Sequence, residues 1–215
     1  MNEISREEVV IGIPGFNLEY FVELGEKLYM FYSVYDKPNK TEQLFVQEVN
    51  QDGSGLNGNE VQLLSVPQKI SPAYYVGYSA QGKFRIDTSS DGSYFIIKYR
   101  LQPEEKDDSK NNDILGMHVF DQELNKVWGE DIQMPYLESM MRTLDFTIDS
   151  KGTGYFLIKK FKEEVNRKNA NDVNNQSFAI LEIKNGAIQN EEEFDLGENL
   201  IEDVVMKENA GGSII

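Results

Sequence analysis

The stretch RIDTSSDGSYFIIK, residues 85–98, returns about sixty residues later as FTIDSKGTGYFLIK, residues 146–159. No other feature narrows the fold as much. A chain that writes strand, turn and strand twice at this period is built from units that bury their faces against one another. Tyr94 and Tyr155 lie 61 residues apart, and Asp87 and Asp149 lie 62 apart. The copies therefore differ by one residue in the turn, and the two aspartates are expected at one structural position. A third copy lies upstream, where residues 20–24 and 27–32 flank the turn Gly25-Glu26, and a fourth starts at Ile201 and reaches Ile215.

After each hairpin come a third and a fourth strand, at residues 43–49 and 61–66, 115–121 and 126–133, and 178–184 and 188–196. Turns such as Asn50-Gln51-Asp52-Gly53 and Lys184-Asn185-Gly186 are the punctuation expected between antiparallel neighbours. No stretch shows convincing helical periodicity. The pattern predicts an all-β chain of consecutive four-stranded antiparallel β-propeller blades. They are expected at residues 16–66, 83–134 and 143–196, with the start of another at 201–215. Tyr94-Phe95-Ile96-Ile97 and Tyr155-Phe156-Leu157-Ile158 are apolar on both faces, as a strand covered by a blade on each side should be; a sheet with one wet face would alternate. Glu191-Glu192-Glu193 puts charge on a fourth strand, an outer edge that must not recruit another strand. About three and a half blades make an incomplete ring, since closed propellers use roughly 4 to 8. The reading therefore expects a fragment of a larger protein, or completion of the ring by association. A β-sandwich with self-similar strands is the alternative.

Ile86-Asp87, Asp91-Gly92 and residues 94–98, then Met134-Pro135-Tyr136, then Ile148-Asp149 and residues 155–159, carry a further likeness. These pieces resemble the degenerate β-propeller repeats of large exported bacterial proteins, and no Trp-Asp signature of the WD40 type accompanies them. The resemblance covers nearly the whole chain. It implies the fold and an exported location, periplasm or cell surface, but no particular ligand. The first residues, MNEISREEVVIGIPG, carry Glu3, Glu7 and Glu8 and no uninterrupted apolar segment, so they do not read as a signal peptide.

Charge narrows the partners. With 21 basic against 37 acidic residues the net charge is −16, which repels a nucleic-acid backbone instead of neutralising it. Cysteine is absent, which removes disulfides, thiol nucleophiles and thiolate metal sites. Apolar runs fall far short of the roughly 20 residues that span a bilayer as a helix.

Because the chain reverses at each hairpin, the loops between second and third strands share an end with the links from blade to blade. That end carries the polar insertions 102–113 and 162–176. The links 67–82 and 135–142 add Tyr74, Tyr75, Tyr78, Tyr136, Met140, Met141 and Arg142. Aromatic side chains beside polar loops predict a surface for a protein or glycan ligand, with Tyr74, Tyr75, Tyr78, Tyr136 and Arg142 as its binding residues. Rings that only seal the joints between blades are the plainer alternative.

Catalytic signals are weaker. Asp87 and Asp149 invite a reading as paired acids, but an Asp before a tight turn more commonly bonds nearby amides. Asn50 to Val61 fails as a calcium loop, because Val61 stands where a bidentate Glu is required. His118, the single histidine, sits in the strand LGMHVF with no serine elbow. Lys159, Lys160, Lys162, Arg167 and Lys168, interleaved with Glu163 and Glu164, read as a solvated loop, and Trp128 as a fourth-strand packing residue. The expectation is a non-enzymatic binding or scaffold module with no catalytic residue, no metal site and no cofactor. The alternative is a glycan-active hydrolase or lyase with carboxylates drawn from several blades.

Overall fold

The computed structural model describes residues 12–52, 54–70, 74–75, 78–79, 82–102, 110–164, 172–194, 204–209 and 211–215. The chain is all-β. β1 (Phe16–Leu24), β2 (Lys27–Asp36), β3 (Thr41–Val49) and β4 (Leu56–Val66) form one antiparallel sheet in that order. β5 (Tyr74–Tyr75) and β6 (Tyr78–Ser79) pair as a two-stranded ladder. β7 (Arg85–Thr88), β8 (Tyr94–Arg100), β9 (Asn112–Asp121) and β10 (Lys126–Leu137) form the second sheet. β11 (Met141–Ile148), β12 (Gly154–Phe161), β13 (Gln176–Lys184) and β14 (Ala187–Phe194) form the third. Each is a consecutive four-stranded meander of the kind propellers use as blades. No described helix is long and apolar enough to cross a membrane.

The chain divides into two compact units, Met1–Arg85 and Ile86–Ile215. In the first, five successive residues of β2, Tyr29 to Ser33, are buried, so both faces of that strand are covered. Asn50 closes the β3–β4 turn by donating its N–H to the Gly55 carbonyl, and Asp52 accepts from the Ser54 N–H. Two buried carboxylates tie the segment after β4 back to the sheet. Glu42, fully buried, accepts from the Ile70 N–H at 3.2 Å and from the Lys83 ammonium at 2.6 Å. Glu19, at a bulge in β1, accepts from Asn17, from the Ser33 hydroxyl and from the Lys83 N–H. A buried charge is tolerated only when its lone pairs are met in this way.

In the second unit the two sheets share one core. Ile96, Leu115, Met117, Val119, Trp128, Ile132 and Met134 meet Met141, Phe146, Ile148, Phe156, Ile158, Ala179, Leu181 and Ile183. Phe95, Ile96 and Ile97 in β8, and Phe156, Leu157 and Ile158 in β12, are all buried, so the doubly apolar second strands are covered on both faces. At about 1.5–3 kcal/mol per large side chain removed from water, these strands supply much of the driving force.

The hairpin turns correct one expectation. Asp149 donates its N–H to the Thr153 carbonyl and accepts from the Gly152 N–H on its own carbonyl, while its side chain accepts from the Lys151 and Thr153 N–H groups. In the second sheet that position belongs to Ser89, not Asp87: Ser89 donates to the Tyr94 carbonyl, its carbonyl accepts from Gly92, and its hydroxyl accepts from the Tyr94 N–H. Asn209, sixty residues after Asp149, repeats the pattern with Gly211, Gly212 and Ser213. Gly92, Gly152 and Gly212 share φ of 71°, 76° and 77°, a left-handed turn position that glycine adopts at little cost.

The turn tips are joined by one carboxylate. Glu208 accepts from the Ser90 N–H and hydroxyl on one oxygen and from the Ser150 N–H and hydroxyl on the other. Trp128 adds a bond from its indole N–H to the Gly152 carbonyl. Beyond its packing, this fourth-strand residue therefore fixes the turn of the neighbouring sheet.

Candidate functional site

In the second unit, β8 ends and β9 begins at the same end as β10 finishes, β11 starts and β12 runs into β13. The register pairs Arg100 with Leu115, Leu137 with Asn112, Met141 with Lys160 and Phe161 with Gln176. The loops between second and third strands therefore emerge beside the link between sheets, as the alternation of direction predicts.

This end holds a polar cleft of about 260 Å³ lined by residues that include Gln102, Lys110, Asn111, Asn112, Asp113 and Gln133. Arg100 braces its rim. Its guanidinium contacts Asp113 at 2.6 Å and Glu138 at 3.2 Å. Asn112 donates to the Met134 carbonyl, and the Glu138 N–H to the Asn111 carbonyl.

Tyr136 and Arg142 are strand residues, not link residues. β10 runs to Leu137, one 3-10 turn spans Glu138–Met140, and β11 begins at Met141. Pro135 is accommodated because the ladder is irregular between Gln133 and Leu137, the kind of position where a residue without an N–H is tolerated. The Tyr136 ring packs against the shared core, while its hydroxyl donates to Glu191 and accepts from Lys160. Lys160 also bonds Glu191 at 2.7 Å and Glu193 at 2.9 Å. Burial works against its charge, but the bonds to Glu191, Glu193 and Tyr136 outweigh it and raise its pKa. Arg142 is exposed, over the Phe161 ring at 5.6 Å. Tyr74, Tyr75 and Tyr78 have described backbones only, in the β5–β6 ladder; their side chains lie outside the described residues.

One further sequence reading changes. Lys159 and Lys160 are not in a solvated loop: β12 extends to Phe161 and both are partly buried. Asp149 is 4% exposed and committed to its turn and to the Tyr155 hydroxyl. Among the described residues no group of three His, Cys, Asp or Glu side chains is placed to hold a metal ion.

One polar network escaped the sequence reading. On β8, β9 and β10 the Tyr99 hydroxyl donates to Asp131 at 2.6 Å and lies 3.0 Å from His118 Nε2. With the phenol proton given to Asp131, the imidazole donates from Nε2 and leaves Nδ1 buried without a partner. Burial, then the charge of Lys126, lowers the His118 pKa to about 4. Burial, with the bond to and charge of Asp131, raises that of Tyr99. Room comes from glycine: a Cβ at Gly116 would lie 2.0 Å from the Tyr99 ring, and one at Gly129 2.1 Å from His118 Nδ1.

No protein-family model and no curated protein matches the chain. Among solved structures it is similar to the endo-arabinase from Bacteroides thetaiotaomicron VPI-5482, at 14% identity and TM-score 0.34, over 81% of this chain and 57% of that one. It is similar to a thermostable family-43 glycoside hydrolase at 12% identity and TM-score 0.39, over 88% and 59%. Prolyl oligopeptidase B from Galerina marginata gives 11% identity and TM-score 0.38, over 93% and 25%. The chain thus spans less than two thirds of the length of each of these structures. What their names say they act on stays with them.

Proposed function

We propose that the chain is a non-enzymatic binding or scaffold module that works through the loop-and-link end of its sheets. The observation that carries this reading is the state of the carboxylates there. Asp113 and Glu138 are held by Arg100, and Glu191 and Glu193 by Lys160. Carboxylates whose oxygens are taken up by neighbouring cations brace this end of the sheets and are not aimed at a bound ligand. The amide-rich cleft beside them offers neutral donors and acceptors for a polar ligand. Tyr136 and Arg142 are assigned to this surface in the second unit, and Tyr74, Tyr75 and Tyr78 are assigned a binding role within the first unit by itself. Further blades, or a second copy of the chain, complete the assembly, and export of the protein belongs to the same proposal.

The test is retention of the full chain on a panel of immobilised polysaccharides and proteins, with reducing ends measured in parallel. Retention without new reducing ends is expected, and Tyr136→Ala should weaken it about tenfold while the chain stays folded. Release of reducing ends would replace this reading with a glycan-active hydrolase or lyase. Unfolding of the Tyr136 variant would mean that the ring only seals the joint between sheets.

A further inference from the structure

Arg142, Lys159, Phe178 and Phe194 form one row across all four strands of the third sheet, each opposite the next in the register. The guanidinium lies over Phe161, the Lys159 ammonium over Phe178 at 5.4 Å, and Phe178 stacks on Phe194 with centroids 6.0 Å apart. Like charges directly opposite on neighbouring strands repel. Burial, then the charge of Arg142, lowers the Lys159 pKa accordingly. In a chain with 37 acidic residues, such a pair would ordinarily collect a carboxylate. Among the described residues none pairs with either cation. Glu192, on β14, stands opposite Ile180 and bonds neither. One residue further along β12 the side chain points to the other face, and there Lys160 holds both Glu191 and Glu193. β14 thus gives Glu191 and Glu193 to one face, and Phe194 with the more distant Glu192 to the other.

We propose that Arg142 and Lys159 form an oxyanion site that takes the single carboxylate or sulfate of an otherwise neutral polar ligand. This names the ligand class for the binding surface above and rests on that reading. The guanidinium fork suits two-point contact with an oxyanion, and the ammonium adds a point charge beside it. Phe161 and Phe178, 5% and 6% exposed, line the underside of both cations and keep water from that side, which strengthens a charge-assisted bond. A single anionic group is favoured over a polyanion by the surroundings. Glu163 and Glu164 follow β12, Glu191, Glu192 and Glu193 lie on β14, and the net charge is −16. A ligand whose charges extend beyond the pair meets repulsion within a screening length of about 8 Å.

The experiment is an NMR titration of the full chain at constant ionic strength with four probes: galacturonate, sodium sulfate, neutral galactose and polyglutamate. Galacturonate should move the side-chain signals of Arg142 and Lys159. Arg142→Gln and Lys159→Gln should each weaken it about tenfold. Lys159→Arg, which keeps the charge, should retain binding, and Lys151→Gln, in a turn at the other end of the sheet, should leave it unchanged. A sulfate response equal to that of galacturonate assigns the affinity to the oxyanion alone and supports the site. An equal response to galactose, tighter binding of polyglutamate, silence with both small anions, or unchanged binding in both Gln variants overturns it. If the titration fails while retention on the panel persists, the oxyanion site falls and the binding-module reading stands. Loss of both removes the reading as well.

Discussion

His118 shows how one buried side chain sets a pH limit. Its imidazole takes a proton near 6.5 when unfolded and at about 4 when folded. Between those values the unfolded chain holds more protons, so stability falls as pH drops from 6.5 towards 4 and gains nothing further from this group below that. The loss at the lower end is about 3 kcal/mol. Urea unfolding at pH 7, 5.5 and 4 should show this slope, and His118→Gln, which keeps a donor but does not titrate, should make it shallower by that amount. An identical slope in the variant would mean that other groups carry it. In the sequence His118 reads only as a strand residue, because Tyr99 and Asp131, its partners in the network, sit on two other strands. The legible signal is a pair of strand glycines, Gly116 on the same strand as His118 and Gly129 on the next, since an isolated strand glycine marks a close approach.

Among elements, the hairpins carry the repeat, and they show where reading by similarity stops. Matching the aromatic second strands aligns Tyr94 with Tyr155 and carries Asp87 onto Asp149. The hydrogen bonds follow the turn instead and place Ser89 there, because a serine hydroxyl can accept from the same amide as an aspartate oxygen. The third version uses Asn209. The strands themselves were legible in the alternation of apolar runs and turn residues. The carboxylate that joins the turns was not, since Glu208 lies 58 residues beyond Ser150 and 118 beyond Ser90. Glu208→Ala removes four hydrogen bonds to one partly exposed carboxylate, a loss of about 1–2 kcal/mol. It should speed exchange of the Lys207, Asn209 and Ile215 amides roughly tenfold while β13 amides stay protected. Unchanged exchange at those three positions would show that the hairpin is held by its own ladder.

For the whole molecule, charge sets the terms of association. A net charge of −16 on 215 residues opposes any contact between copies at low ionic strength, and salt screens that opposition. If a second copy completes the assembly, light scattering should give 24.6 kDa in dilute buffer and rise towards twice that value near about 0.3 M salt. A mass that stays at the single-chain value throughout would exclude completion by a second copy. The loop-and-link end was legible as a place, because strand direction fixes which loops meet. Its chemistry was not: Lys159 and Lys160 are adjacent in sequence yet serve opposite faces, one met by aromatic rings and one by carboxylates. The segment after β4 has a different use. Its two ends are fixed to the first sheet by buried Glu42 at Ile70 and by Glu19 and Glu42 at Lys83. A stretch whose mouth is fixed can be lengthened at a cost that grows only with the logarithm of its length, without moving the strands on either side. A foreign peptide, a label or a whole inserted domain written between those two fixed points would therefore leave the first sheet little disturbed.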